Sequence, residues 1–423
     1  TSATDAFNVA VGNNAGASVT TGVQNVLIGG LGGDALTDAD ANTALGYGAL
    51  SNDTLGSNSV AIGRAALQNQ NFTSATNTYN TAVGSNAGIN ITTGTDNTIV
   101  GGLAGDSLTT GTLNTALGRS ALGSDTTGAR AVAIGYAALN NQNFTDSTAS
   151  YNVAMGYFTG GAITTGTTNT LIGGLVGDAL TTGNSNVAMG YLALTSDTLG
   201  DRAVAVGLNA LASQNFTSST DNYNVGVGYQ AGYAITTGIQ NTLIGALAGD
   251  ALADADDNVA VGQGTLTNDT AGSRSTAVGR AALNAQNFTS ATNTLNTAVG
   301  YYAGVNVTTG QNNTLIGANS GDALTTGNTN VAVGTASLSA EIQGDRNVAV
   351  GYAALEQQAN SSDTDVYNVA VGYFAGGVIT SGVQNVLIGG LAGDALTDAD
   401  DNVAIGTVAL TTDTQGSRSV AVG

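Results

Sequence analysis

The chain contains no cysteine, proline, tryptophan or histidine, and its 8 basic residues are all arginine. Without cysteine there are no disulfides and no thiolate metal sites, and cysteine usage says nothing about redox compartment. Without histidine, cysteine or lysine, the usual general bases and nucleophiles are missing, and no catalytic site is expected. The missing proline suits a backbone in which every N–H is needed for strand-to-strand bonding. Charged residues make up only 9% of the 423, yet the net charge is −21. Such a surface repels nucleic acid and anionic lipid, so neither is an expected partner. No apolar run approaches the length of a membrane span, so membrane insertion by this segment is not expected either.

What the sequence does contain is a ruler. The phrase Asn8-Val9-Ala10-Val11-Gly12 returns in variant form 24 times. Its closing glycines, Gly12, Gly29, Gly46, Gly63 and Gly84, are spaced 17, 17, 17 and 21 residues apart, a super-period of 72. Gly156, Gly228, Gly300 and Gly372 keep that super-period without slippage. Fixed periodicity of this length marks a solenoid in which each repeat covers its neighbour's apolar face. The expected fold is all-β: a parallel β-solenoid, or β-roll, of about 24 coils forming one continuous array over residues 1–423. Thr1 to Phe7 align with Thr73 to Tyr79, which suggests a window of a longer array, continuing on both sides or stacking end to end.

Within a coil, Val-Ala-Val-Gly or Thr-Leu-Ile-Gly alternates large and small residues, as a short strand with one buried face would. The glycine serves a corner, by positive φ or by close backbone approach. Core residues follow from two alternative positions: Leu50 and Leu67 in third and fourth coils, Leu36, Ile91, Leu108, Ile163 and Leu180 three residues later in first and second coils. This pattern suggests a second strand of shifted register. The leading asparagine opens 19 of the 24 phrases. Stacked coils put Asn8, Asn25 and Asn42, and likewise Asn80 and Asn97, about 4.8 Å apart, the spacing of a structural hydrogen-bonded ladder.

Charge is placed sparsely. Third-coil turns carry Asp53, Asp125, Asp197, Asp269, Glu341 and Asp413, most with an arginine five residues later, such as Arg130 or Arg346. These pairs read as exposed turn clamps, each worth at most about 1 kcal/mol. The acidic turns Asp38 and Asp40, Asp254 and Asp256, and Asp398 and Asp400 are weak Ca²⁺ candidates, the only cofactor the sequence hints at. They lack the glycine and distal glutamate of an EF-hand loop, and solvated turns are the plainer reading. The fourth coil's four extra residues form loops in which Gln-Asn-Phe-Thr recurs around Phe72, Phe144, Phe216 and Phe288. Solenoid insertions often map to a binding face. The phenylalanines are either an exposed stripe for glycans, a receptor or a neighbouring fibre, or lids tucked onto the next coil. Asn71, Asn143, Asn215 and Asn287 also begin glycosylation sequons.

The segment Asn-Thr-Ala-Leu-Gly-Tyr-Gly-Ala-Leu-Ser-Asn-Asp-Thr-Leu-Gly, residues 42–56, resembles the head repeats of YadA-type trimeric autotransporter adhesins. It is similar also to repeats of phage tail fibres and bacterial surface fibres, and the likeness covers essentially the whole chain. The resemblance implies a left-handed parallel β-roll, assembly as a homotrimer, and display outside the cell, on its surface or on a virion. The chain departs from the adhesin pattern in its longer coil and four-coil super-period. The expected role is a non-catalytic structural fibre or adhesin, binding a host glycan or receptor or neighbouring fibres through its repeated loops. A self-assembling filament or sheath without a receptor is the alternative, and an ice-binding threonine solenoid a further one.

Overall fold

The structure, a computed structural model, describes residues 5–423. The alignment of Thr1 to Thr4 with a fourth-coil loop lies outside the described residues. The protein is an all-β parallel solenoid of about 24 turns, with no helix among the described residues. It falls into two compact units. One runs up to Ala203 and includes Asn215–Asp221; the other comprises Val204–Gln214 and Asn222–Gly423.

In the first unit, each turn contributes a three-residue strand, beginning with Val9–Val11, Val26–Ile28, Thr43–Leu45 and Val60–Ile62. Adjacent strands pair in parallel register, Val9 opposite Val26 and Val26 opposite Thr43. The longer fourth coil keeps that register, since Val60 still faces Thr81. Its four additional residues are therefore looped out of the stack. The second unit repeats the plan, with Val259 opposite Thr276 and Thr276 opposite Thr297.

Away from the first and last strands, the middle residue of each three-residue strand points inward and is buried: Leu27, opposite Ala10, then Ala44, Ala61, Ala82 and Ile99. Alanine and a larger residue share the interior by volume. Leu27 fills the space that Gly16 and Gly33 leave open, where an added Cβ would come within 2.7 and 2.8 Å of its methyl carbons. Where the strand offers only Ala44 or Ala61, the turn supplies Leu50 or Leu67 instead, both buried. This exchange, forced by close packing, explains the two alternative core positions.

Those positions do not form the second strand that the sequence pattern suggests. The opposite side of each coil is a run of turns. Leu50 and Leu67 adopt left-handed φ of 55° and 50°. Their N–H groups bond the next coil, to Ala66 O at 3.0 Å and Ala87 O at 3.1 Å. A left-handed residue costs least without β-branching, which accounts for leucine here where the strands use valine and isoleucine. The corner glycine meets both sequence-level requirements: Gly12 has φ 135°, and a Cβ on it would lie 2.6 Å from Gly29 O. Short two-residue pairs, such as Gly56–Ser57 with Thr76–Asn77, anchor the returning end of the fourth-coil loop.

Candidate functional site

The asparagine ladder is built mainly between side chains and backbone. Asn25 is buried; its Oδ1 accepts the Asn42 N–H at 2.9 Å, and its Nδ2 donates to Ala39 O at 2.8 Å. Asn8 begins the column by accepting the Asn25 N–H at 2.8 Å, and Asn80 accepts that of Asn97 at 3.0 Å. Asn97 in turn serves Asn114. Each side chain thus links one coil to the next and also ties the two ends of its own coil. A buried amide with both groups satisfied stabilises; one left half-satisfied costs about 1–3 kcal/mol.

The third-coil acids overturn the clamp reading. Asp53, Asp125, Asp197, Asp269 and Glu341 are completely buried. Asp53 Oδ1 accepts the N–H groups of Gly56 and Phe72, each at 3.1 Å, while Oδ2 accepts Gln70 Nε2 at 2.6 Å. Gln70 also receives Asn80 Nδ2 at 2.9 Å, joining the acid to the asparagine ladder where the fourth coil opens with Ser59 in place of asparagine. Asp125 repeats the arrangement with Gly128, Phe144 and Gln142. Burial pushes the Asp125 carboxyl above its ordinary value, against the opposing pull of Gln142 and these N–H groups. The arginines turn elsewhere. Arg202 pairs with Asp221 and Arg346 with Asp365, Arg274 lies 3.5 Å from Asp257, and Arg130 sits over the Tyr151 ring.

The same carboxylates settle the phenylalanines. Phe72, Phe144, Phe216 and Phe288 are buried, Phe144 only 5% exposed, so they are lids and not a surface stripe. The buried acid takes the phenylalanine's own N–H and so fixes where the loop turns inward. The exceptional loop conforms to this logic. Where Asn360 replaces phenylalanine, Glu341 replaces aspartate, and Asn360 bonds it through both its backbone N–H (3.1 Å) and its side chain (3.0 Å). The sequon residues Asn71, Asn143, Asn215 and Asn287 remain exposed.

The Ca²⁺ candidates stitch coils together. Asp40, Asp256 and Asp400 accept the backbone N–H groups of Val23, Ile239 and Val383 at 2.7, 2.8 and 2.9 Å. Asp38 accepts from the Thr21 hydroxyl, Asp398 from that of Thr397, and Asp254 is exposed. Among the described residues, no group of three or more acidic side chains converges as metal ligands would. Threonine hydroxyls are similarly engaged, Thr37 donating to Thr54 O and Thr109 to Thr126 O.

Two surface features escaped the sequence reading. The first is the outward side of the strands. The residue after each strand centre is always valine, leucine, isoleucine or methionine, and the one before it is valine or threonine. Leu45, Leu117, Met155 and Met189 are exposed in the first unit, and Ile244, Ile316, Ile388 and Ile405 in the second, with Leu117 45% exposed. Not one ionisable side chain interrupts these positions in a chain of net charge −21.

The second feature is tyrosine. Of its 14 tyrosines, eight follow a corner glycine, as Tyr136 follows Gly135, and others precede a leading asparagine, as Tyr79 and Tyr151 do. Nearly all are exposed. Tyr136 and Tyr157 stack at 5.5 Å, as do Tyr352 and Tyr373, and Arg119 lies over the Tyr136 ring. That spacing is present in the sequence, one residue after the corner glycine. No model of a known protein family matches the chain, and no curated protein matches it.

Proposed function

We propose that this chain is a segment of a non-catalytic structural fibre, outside the cell or on a virion, whose copies pack side by side along the outward face of the strands. The observation that carries the reading is that, in each of the two units, the residue after every strand centre is apolar and no outward strand position is charged, in a chain of net charge −21. Contiguous exposed apolar surface beyond a few hundred Å² marks an interaction site. A repeated face is matched best by the same repeat on another copy, where columns of equal period align. Mutual repulsion among acidic chains also favours association through a strip that bears no charge. A homotrimer and the extracellular or virion setting rest on the resemblance of residues 42–56 to adhesin heads and tail fibres.

The test is the mass in solution. Sedimentation equilibrium should give three times the chain's 41.3 kDa. The combined variant Leu45→Asp, Leu117→Asp, Met189→Asp should sediment as one chain with its strand spectrum retained. A wild-type chain that sediments as a monomer at micromolar concentration, or a variant with unchanged mass, would remove the outward face as the packing surface.

A further inference from the structure

Beyond the packing of copies, one place in the second unit has the form of a ligand site. A cleft of about 290 Å³ opens above Gly264, walled by Gln263, Thr267, Arg280, Asn284 and Tyr302. Its size is at the lower end of small-molecule sites, about 300–1,000 Å³, and suits a single sugar ring. The floor is partly apolar, formed by Leu247 and Val305. The guanidinium of Arg280 lies 5.8 Å from the Tyr301 ring centre and 5.5 Å from that of Tyr302. The two rings meet edge to face at 4.2 Å. Arg280 makes no ion pair with a carboxylate among the described residues, although acids outnumber cations 29 to 8 in this chain.

The opening is not a requirement of the backbone. Gly264 has φ 66°, but the equivalent third-coil residues Ser120, Leu192 and Ala336 hold φ of 56°, 57° and 55° with side chains in place. A Cβ on Gly264 would meet Asn284 and Thr267 only at 3.6 Å. Glycine at this position therefore leaves room that a side chain could fill. It also coincides with arginine one coil later. Gly48 is followed by Arg64 and Gly264 by Arg280, whereas Ser120, Leu192 and Ala336 are followed by Tyr136, Leu208 and Tyr352. At the Gly48 place, Asn86 stands where Tyr302 stands and accepts from Arg64 at 3.4 Å, so there the ring wall is missing. Arg280 donates instead to the Tyr301 hydroxyl, also at 3.4 Å, and keeps its remaining N–H groups for a ligand.

We infer that the cleft over Gly264 binds a carboxylate-bearing sugar residue. The Tyr302 ring offers a face to the apolar side of a pyranose. Gln263 supplies its amide to the hydroxyls, Asn284, whose Nδ2 donates to Gly264 O at 2.9 Å, supplies its side-chain oxygen, and Arg280 supplies a planar fork for the carboxylate. A single cation suits one carboxylate better than a phosphate cluster.

The test uses the whole chain, titrated with methyl glucuronide, with the methyl glycoside of N-acetylneuraminic acid, and with neutral methyl glucoside, followed by NMR. Saturable binding of either acidic sugar, at least about tenfold tighter than the glucoside, is expected, at one site per chain. Gly264→Leu, which copies the residue already held at 192, should abolish it while leaving the melting temperature unchanged. Arg280→Gln should reduce the acidic sugar to the level of the glucoside. The inference is overturned if neither acid binds at millimolar concentration, if the glucoside binds as well, or if a folded Gly264→Leu chain binds as wild type does.

Discussion

The inside and the outside of the coil wall are chemically alike at the strands and differ in what covers them. Inward, Ala133 has alanines directly above and below and no exposure; outward, its neighbour Ile134 is half-buried between Leu117 and Met155, both exposed. The inward side is set by volume, with Leu27 answered by Gly16 and Gly33 and Ala44 by Leu50. The outward side keeps the same aliphatic character with no volume to fill. An aliphatic residue inside explains how the coil holds together. The same residue outside explains nothing about the single chain, and that is why we assign it to contact between copies.

The comparison can be broken most forcefully from within. Phe144→Ser should destabilise by roughly 3 kcal/mol or more, because a buried ring is lost and a cavity left. An exposed aromatic stripe would show almost no change in the denaturation midpoint. Ala133→Leu comes next, at about 1–3 kcal/mol through overpacking between its neighbours. If Ile134→Leu on the outer side costs as much, the assignment of the two faces is reversed.

A smaller effect follows from acids of intermediate depth. Burial raises the carboxyls of Asp106, Asp250 and Asp322 above their ordinary value. A raised carboxyl binds its proton more readily in the folded chain, so its stabilising contribution is complete below the ordinary carboxylate range. That contribution is lost as pH rises through the folded value. The melting temperature should therefore rise as pH falls from neutrality toward the ordinary carboxylate range. Changing all three to asparagine should flatten that rise and be nearly silent otherwise. A steeper rise in the triple variant would contradict the assignment. The smallest effect on stability belongs to the outer face: Leu117→Asp should shift unfolding of the isolated chain by less than about 0.5 kcal/mol.

The stack and its register were legible because they depend on period alone. Val9, Thr43 and Val60 sit at fixed spacing, and the alternation around Ala10 or Ala44 marks a strand without further information. The asparagine ladder was legible for the same reason. The second strand was misread because Leu50 and Leu67 reach the core through left-handed turns, and a spacing of core residues does not distinguish a turn from a strand. The third-coil acids were misread because charge normally lies outside. Burying Asp53 depends on Gly56, Gln70 and Phe72 converging from two coils, which appears only when the coils are stacked. The choice between stripe and lid for Phe72 was left open for the same reason, since its own N–H is held by that carboxylate. The outward face was hidden in plain view: the periodicity gave two aliphatic sides, and only burial tells which one is covered.

The central claim, that the outer aliphatic face is where copies meet, is tested most directly with a spin label. The chain has no cysteine, so Leu117→Cys provides a single attachment point, and Asn71→Cys, on an exposed loop, a control. The account predicts an immobilised label at position 117 with strong dipolar coupling between copies, and a mobile label at position 71. A label at 117 as mobile as the one at 71, with no coupling between chains, would contradict it.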